Sequence, residues 1–290
     1  MAGTALQYDP ARQYTFTTED VEYRRDGERF WLARLYRPQG AGPFPALLGI
    51  HGGAWNSGDR TNNPALAEGL AASGIVVASI DFRMGGQDPY PSSLADINYA
   101  TRWLKLHAAE LDADPVTVGG LGISSGGHLI MLSAMRPHGP RYAALPLPGA
   151  EGLDARLAYF ITCWGVLDPY GRYRMAQTRG NADLIANHDR YFLTVEAMQE
   201  ANPLLILQRG EQVVLPPALL IQGTADTGVP AGMIENVAAL YQTAGGEADL
   251  ALFQDMPHGI AGWPAPEVAR MVERMKGFIA RHLSRPVAVG

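Results

Sequence analysis

Gly122-Ile123-Ser124-Ser125-Gly126 sets a serine between two glycines, directly after the apolar run Val116 to Leu121 and directly before a helical pattern, Gly127-His128-Leu129-Ile130-Met131. A serine on a sharp strand-to-helix turn has the chemistry of a nucleophile. Its flanking glycines avoid collisions with the neighbouring strand and helix, and the helix N-terminus favours negative charge developing on its oxygen. The five-residue pattern is weak by itself in a chain with 33 glycines; the strand and helix around it give it weight. A second glycine turn, His51-Gly52-Gly53-Ala54-Trp55, ends another apolar run. Acyl transfer through a serine generates an oxyanion that needs backbone N–H donors, each worth about 3–4 kcal/mol of barrier in a well-studied protease. Alone, this turn reads equally well as a tight connection between strand and helix; beside the serine it reads as a donor loop.

A serine needs a base, and the base needs an orienting group. Of seven histidines, His107 falls inside a helical pattern and His138 and His282 near helix ends, where solvent exposure is expected. His51 belongs to the glycine turn, His128 lies one turn beyond the serine, and His188 sits in an aromatic stretch where it could touch substrate. His258, in Met256-Pro257-His258-Gly259, follows a strand-like run late in the chain, where the order serine, acid, histidine requires the base. The acid falls between them. Asp226, in the segment Gly223 to Pro230 after Ala218 to Ile221, is the favoured carboxylate, and Asp168, which ends Trp164 to Leu167, is its rival. Asp255, three residues from His258, reads as a loop carboxylate.

These residues need a frame that brings them together. Thr15 to Arg24 and Phe30 to Tyr36 read as a hairpin about Asp26-Gly27. Ala46 to Ile50, Ile75 to Ile80, Val116 to Leu121, Leu157 to Cys163, Ala218 to Ile221 and Leu250 to Phe253 are short apolar runs of the kind buried on both faces of a sheet. Helical periodicity lies between them, as in Leu94 to Leu111 with Ser92 and Ser93 as cap candidates, and in Val268 to Ile279 after Pro264-Ala265-Pro266. Alternating strands and helices imply an α/β fold with a mostly parallel sheet, and residues 1–290 read as one domain. Residues 168–211 break the alternation with aromatic and charged side chains and read as a lid or cap insertion. Trp55 and Trp164, with Tyr170, His188 and Tyr191 of the insertion, are the expected substrate-binding residues of a partly apolar pocket. Arg172, Arg174, Arg179 and Arg190 read first as solvated surface, with carboxylate recognition as the alternative.

Composition narrows the partners. Lys+Arg 23 against Asp+Glu 29 gives a net charge of −6, the wrong sign for an electrostatic nucleic-acid binder. One cysteine, Cys163, allows no internal disulfide framework and no Cys-rich zinc site, and no HExxH, dinucleotide or phosphate-loop pattern is present, so neither metal nor cofactor is expected. The start of the chain lacks the basic and apolar regions of a signal peptide, and no run of about 18 apolar residues predicts a membrane span. A cytoplasmic location is the default expectation. The final helix could pack on the sheet or on a second copy, so a homodimer is one expected arrangement.

HGGAW, SIDFR, YPSSLADINYATRWL, GISSGGH, EANPLL ahead of LPPALLIQGTADTGVP, and MPHG occur in that order across most of the chain. Together they resemble the esterase branch of the α/β-hydrolase superfamily, near bacterial hormone-sensitive-lipase-like esterases and the feruloyl-esterase-like group with GxSxGGH. The resemblance implies an eight-stranded central sheet, a Ser124–His258–Asp226 triad, and cofactor-free hydrolysis of short-chain or aromatic carboxylic esters through an acyl-enzyme on Ser124. It makes Gly52, Gly53, Ala54 and Ser125 the oxyanion-hole residues, with the N–H groups of Gly53, Ala54 and Ser125 as donors. Two positions depart from the family pattern: Ala54 stands where a third glycine is usual, and Ser125 where alanine is common, adding a hydroxyl near the site. The same machinery would serve an amidase, formamidase or peptidase. A non-catalytic small-molecule receptor on the same fold is the reading from another class, disfavoured because all three triad candidates are present.

Overall fold

Ala46–Ile50 carries no polar side chain, and it forms a strand, β3, with neighbours on both edges and helices on both faces. The computed structural model describes residues 8–283, so the first seven residues, including the start read as lacking a leader, lie outside the described residues. Around β3 the sheet adds β1 (Phe16–Asp26), β2 (Arg29–Pro38), β4 (Val76–Ile80), β5 (Gly119–Ile123), β6 (Phe160–Cys163), β7 (Ala218–Gly223) and β8 (Ala248–Phe253). The spatial order is β1-β2-β4-β3-β5-β6-β7-β8. The expected hairpin β1–β2 is antiparallel and joins β4 antiparallel, whereas every pair from β4 through β8 is parallel. This is the eight-stranded, mostly parallel sheet that the resemblance implies.

The two-residue repeat of each strand feeds two cores. Leu48, Ile50, Val76, Ala78, Phe160 and Leu220 face one side, where they meet α2 (Ser92–Leu106), α3 (Ser125–Met135) and α8 (Ala231–Thr243). Leu47, Val77, Ile161, Cys163 and Leu219 face the other, where α1 (Pro64–Ala71) and α9 (Ala265–Leu283) present Leu66, Leu70, Met271, Met275 and Phe278. The final helix therefore packs on the sheet. Among the described residues no helix is long and apolar enough to cross a membrane.

Three local expectations shift. Val116 is 62% exposed on a 3₁₀ turn, Pro115–Thr117, and β5 begins only at Gly119. Pro115 fixes the turn and the Asp114 carboxylate accepts the Val116 N–H, so apolar content there marks a turn rather than a strand. The α2 helix stops at Leu106 and a 3₁₀ turn, Ala108–Leu111, follows. Ser92 and Ser93 lie inside α2 rather than capping it: Pro91 is the N-cap, and the Ser93 hydroxyl bonds the Tyr191 hydroxyl.

Between β6 and β7, residues 168–211 form α4 (Pro169–Thr178), α5 (Ala182–Phe192), α6 (Val195–Glu200) and α7 (Pro203–Gln208). Each helix starts with a side-chain cap, from Asp168, Asn181, Thr194 and Asn202 respectively. Tyr191, Phe192, Met198 and Ile206 enter the same core as α2 and α3, so the insertion docks firmly on the sheet.

Candidate active site

β5 ends at Ile123 and α3 starts at Ser125, leaving Ser124 alone on the turn at φ 54°, ψ −117°. That conformation is strained for any residue with a Cβ. The turn is pinned by the Ser124 N–H donating to the Cys163 carbonyl at 2.9 Å, and by the Ser124 carbonyl accepting from the N–H groups of Gly127 and Val166. A Cβ at Gly122 would lie 2.3 Å from the Gly126 carbonyl oxygen, and one at Gly126 would lie 2.4 Å from the carbonyl oxygens of Ile50 and His51. Both flanking glycines are therefore required by close backbone approach, as the motif's physics demands.

The Ser124 Oγ lies 2.9 Å from His258 Nε2, and His258 Nδ1 lies 2.6 Å from Asp226 Oδ2. Asp226 is 4% exposed, on the loop after β7. Its Oδ1 accepts the N–H groups of Gly228 and Val229, both at 2.8 Å, and its Oδ2 also accepts from Gln222 Nε2 at 3.0 Å. Burial pushes this carboxyl's pKa upward, but the His258 hydrogen bond and charge and the other donors outweigh it and hold it below the ordinary aspartate value. An ionised Asp226 keeps the proton on His258 Nδ1 and leaves the Nε2 lone pair facing the Ser124 hydroxyl. Asp168, the rival, instead caps α4 by accepting the Gly171 N–H at 2.8 Å, and also accepts from Asn202 Nδ2 at 2.7 Å.

Beyond β3, Gly52, Gly53 and Ala54 run past the serine; a Cβ on Gly52 would lie 3.1 Å from the Ser124 Cβ. Among the described residues no carbonyl accepts the N–H of Gly53 or Ala54, and the N–H of Ser125, first in its helix, has no intrahelical partner. Ala54 and Trp55 both hold left-handed φ values, 50° and 64°. Their brace is the Ser125 hydroxyl, which accepts the Trp55 N–H at 3.1 Å. The hydroxyl expected near the site is thus committed to the backbone of the glycine turn, on a residue 1% exposed. Ser125→Ala leaves a buried N–H unpartnered on a strained loop, and we predict a loss in kcat of about 5- to 10-fold with little change in KM, as one lost hydrogen bond allows. Steady-state kinetics check this; a change confined to KM would contradict it.

Trp55, His188 and Tyr191, expected to touch substrate, occupy the interior instead, at 0–1% exposure. The Trp55 indole stacks on Tyr191 with ring centroids 5.4 Å apart, and its Nε1–H donates to His128 Nδ1 at 3.1 Å. His128 Nε2 donates in turn to the Ala201 carbonyl at 2.7 Å. The glycine turn after β3, the serine helix and the insertion are thus bolted together by rings that an aromatic count reads as a pocket. Burial lowers the pKa of both His128 and His188 to about 4. Unfolding returns these rings to about 6.5, so below that pH the unfolded chain binds protons that the folded one refuses. Stability is therefore full above pH ~6.5 and falls as pH drops toward ~4, by about 3 kcal/mol per histidine. Urea unfolding between pH 7 and 4.5 should show this fall, and His188→Phe should flatten it; an equal slope in the variant would refute it.

A cavity of about 400 Å³ opens on Ser124 and His258, lined also by Gly52, Gly53, Ala54, Trp164, Ser57, Asn62, Asn63, Ile123, Arg172 and Asn187. Of the expected substrate-binding residues only Trp164 lines it, and Tyr170 lies outside, its hydroxyl accepting from Arg174. The wall mixes the apolar Trp164, Ile123 and Ala54 with the polar Ser57, Asn62, Asn63 and Asn187. Arg172 and Asn187 reach it from α4 and α5, so the insertion forms one side of the site. Arg172, read from sequence as surface, is 7% exposed. Its neighbours hold the signal: Pro169, Arg172, Tyr173 and Ala176 make a buried stripe at helical spacing.

Residues 34–239 match the model of the BD-FAE family. "Probable carboxylic ester hydrolase LipM" of Mycobacterium tuberculosis (strain ATCC 25618 / H37Rv) is 32% identical over 174 residues, covering 57% of this chain and 39% of that protein. Esterase LipC of the same strain is 28% identical over 222 residues, covering 72% of this chain and 52% of LipC. The chain thus spans about half the length, or less, of these two relatives. Among solved structures, Thermogutta terrifontis esterase 2 phosphoramylated by tabun superposes with a TM-score of 0.73 at 23% identity, covering 92% of this chain and 95% of that one. At that identity the likeness speaks to the fold, an α/β-hydrolase sheet with flanking helices.

Proposed function

The chain belongs to the BD-FAE family, and from that premise we propose that it is a serine carboxylesterase acting through Ser124, His258 and Asp226. The observation that carries this reading is the continuous relay of hydrogen bonds, 2.9 Å and 2.6 Å long, at the rim of a cavity bordered by unpartnered backbone N–H groups. His258 Nε2 takes the Ser124 proton as Oγ bonds the acyl carbon, and the N–H groups of Gly53, Ala54 and Ser125 receive the oxyanion. Collapse breaks the bond to the alcohol oxygen, which leaves with the proton from His258. Water then attacks the acyl-enzyme, its proton passing to His258 and onward to Ser124 as the acid departs. Asp226 stabilises the imidazolium in both halves. The intact relay also argues against the receptor reading.

A fluorophosphonate probe tests this without knowledge of the natural substrate. One adduct on the peptide bearing Ser124, together with turnover of 4-nitrophenyl acetate and much slower cleavage of 4-nitroacetanilide, is the expected result. No adduct on the folded protein would overturn the reading, and equal rates on ester and anilide would favour an amidase.

A further inference from the structure

Three arginine or lysine side chains are buried among the described residues: Arg24, Arg172 and Lys276. Burying a charge is tolerated when it is paired, because the lost hydration must be replaced. Arg24 meets that rule through Asp96 at 2.8 Å, and Lys276 through Glu273 at 2.6 Å. Arg172 does not. Its Nε donates to the Gly228 carbonyl at 3.0 Å, but its Nη1 is buried with no hydrogen-bond partner. The charge it feels most, Asp226, already accepts from Gly228, Val229, Gln222 and His258. That carboxylate has no room for a further donor without giving up one that holds the histidine. The arginine nonetheless lines the same cavity as Ser124 and His258. No Asp or Glu lines that cavity, and Ser57, Asn62, Asn63 and Asn187 complete a neutral polar wall that would not repel an anion.

We propose that Arg172 is a specificity-determining residue whose guanidinium pairs with a free carboxylate of the substrate, so that the preferred substrates are esters carrying a second, ionised carboxyl group. This rests on the esterase reading above. A planar fork with unused N–H groups suits carboxylate geometry, and the burial of the guanidinium strengthens the pair. The carboxylate replaces the missing partner, and recognition is sharp because the neutral analogue leaves the buried cation unpaired again.

The test compares monoethyl succinate, glutarate and adipate with the matching ω-carboxamide ethyl esters, and O-acetylglycolate with O-acetylglycolamide for a carboxylate on the alcohol side, all by pH-stat at pH 7.5. The expected result is that at least one acid exceeds its amide in kcat/KM by about 10- to 100-fold, as a charged hydrogen bond allows. Arg172→Met should bring that ratio near one, and Arg172→Lys should retain part of it. Adipate or glutarate should also slow fluorophosphonate labelling of Ser124 in the wild type and not in Arg172→Met. If the wild type turns over neutral esters with no preference for any carboxylate, the proposal falls while the esterase reading stands. Equal losses on acid and amide in both variants would make Arg172 only a strut for the Gly228 loop. If no ester is cleaved and Ser124 is not labelled, the esterase reading fails and the proposal with it.

Discussion

Ser124→Ala should lower kcat for 4-nitrophenyl acetate by about 10⁶-fold, and His258→Ala by nearly as much, with the double variant no worse than either. The near-equality follows from the geometry. The serine hydroxyl is not a nucleophile at neutral pH unless His258 Nε2, 2.9 Å away, takes its proton, so each group is idle without the other. What remains is the stabilisation offered by the N–H groups of Gly53, Ala54 and Ser125, which acts on any oxyanion that forms. A stability measurement separates lost chemistry from lost folding. Alanine keeps the Cβ that makes φ 54°, ψ −117° costly, so Ser124→Ala should melt near the wild type, whereas Ser124→Gly should be equally inactive and more stable by about 1–3 kcal/mol. Activity in Ser124→Ala within 100-fold of wild type would remove the serine from the mechanism. A glycine variant no more stable than the alanine one would mean that the turn stores no strain.

The residues proposed to react are legible because their positions are tied to chain order and strand ends. A serine after an apolar strand, an aspartate after a later one and a histidine after the last leave few other ways to place three groups together, and the structure puts them within hydrogen-bond reach. The sheet was legible for a similar reason, since runs such as Ala46–Ile50 can be buried only between two layers. The start of β5 was not. Three of its five residues are glycines, which carry no strand preference, so the strand signal falls on the apolar residues before it. The aromatic residues misled for a deeper reason. Rings that dock an insertion and rings that line a pocket have the same composition, and only packing tells that Trp55 stacks on Tyr191 inside the core. Arg172 is the converse case: its charge signals solvent, and only its place in the buried stripe of α4 signals the cavity.

Asp226→Asn should cost about 10⁴-fold in kcat while leaving KM and the fold nearly intact. The carboxylate does two things that an amide cannot. It compels His258 to carry its proton on Nδ1, across a 2.6 Å contact, and it balances the positive charge that the imidazole acquires when it takes the serine proton. In the variant, the carbonyl oxygen of the new amide can accept the Gly228 and Val229 N–H groups at the Oδ1 position, but its NH₂ then faces both His258 Nδ1 and the Gln222 Nε2 donor. The ring responds by moving its proton to Nε2, which now points a hydrogen at the serine instead of a lone pair. Turning the amide over restores an acceptor toward His258 only by setting NH₂ against two backbone N–H groups in a site 4% exposed, a worse arrangement. Asp168→Asn is the matched control. Its carboxylate caps α4 and holds Asn202, so that variant should lose on the order of 1 kcal/mol of stability and keep most of its kcat. Burst kinetics with a 4-nitrophenyl ester, run beside urea unfolding of both variants, distinguish the two carboxylates. A 10⁴-fold loss in Asp168→Asn with an active Asp226→Asn would reverse the assignment.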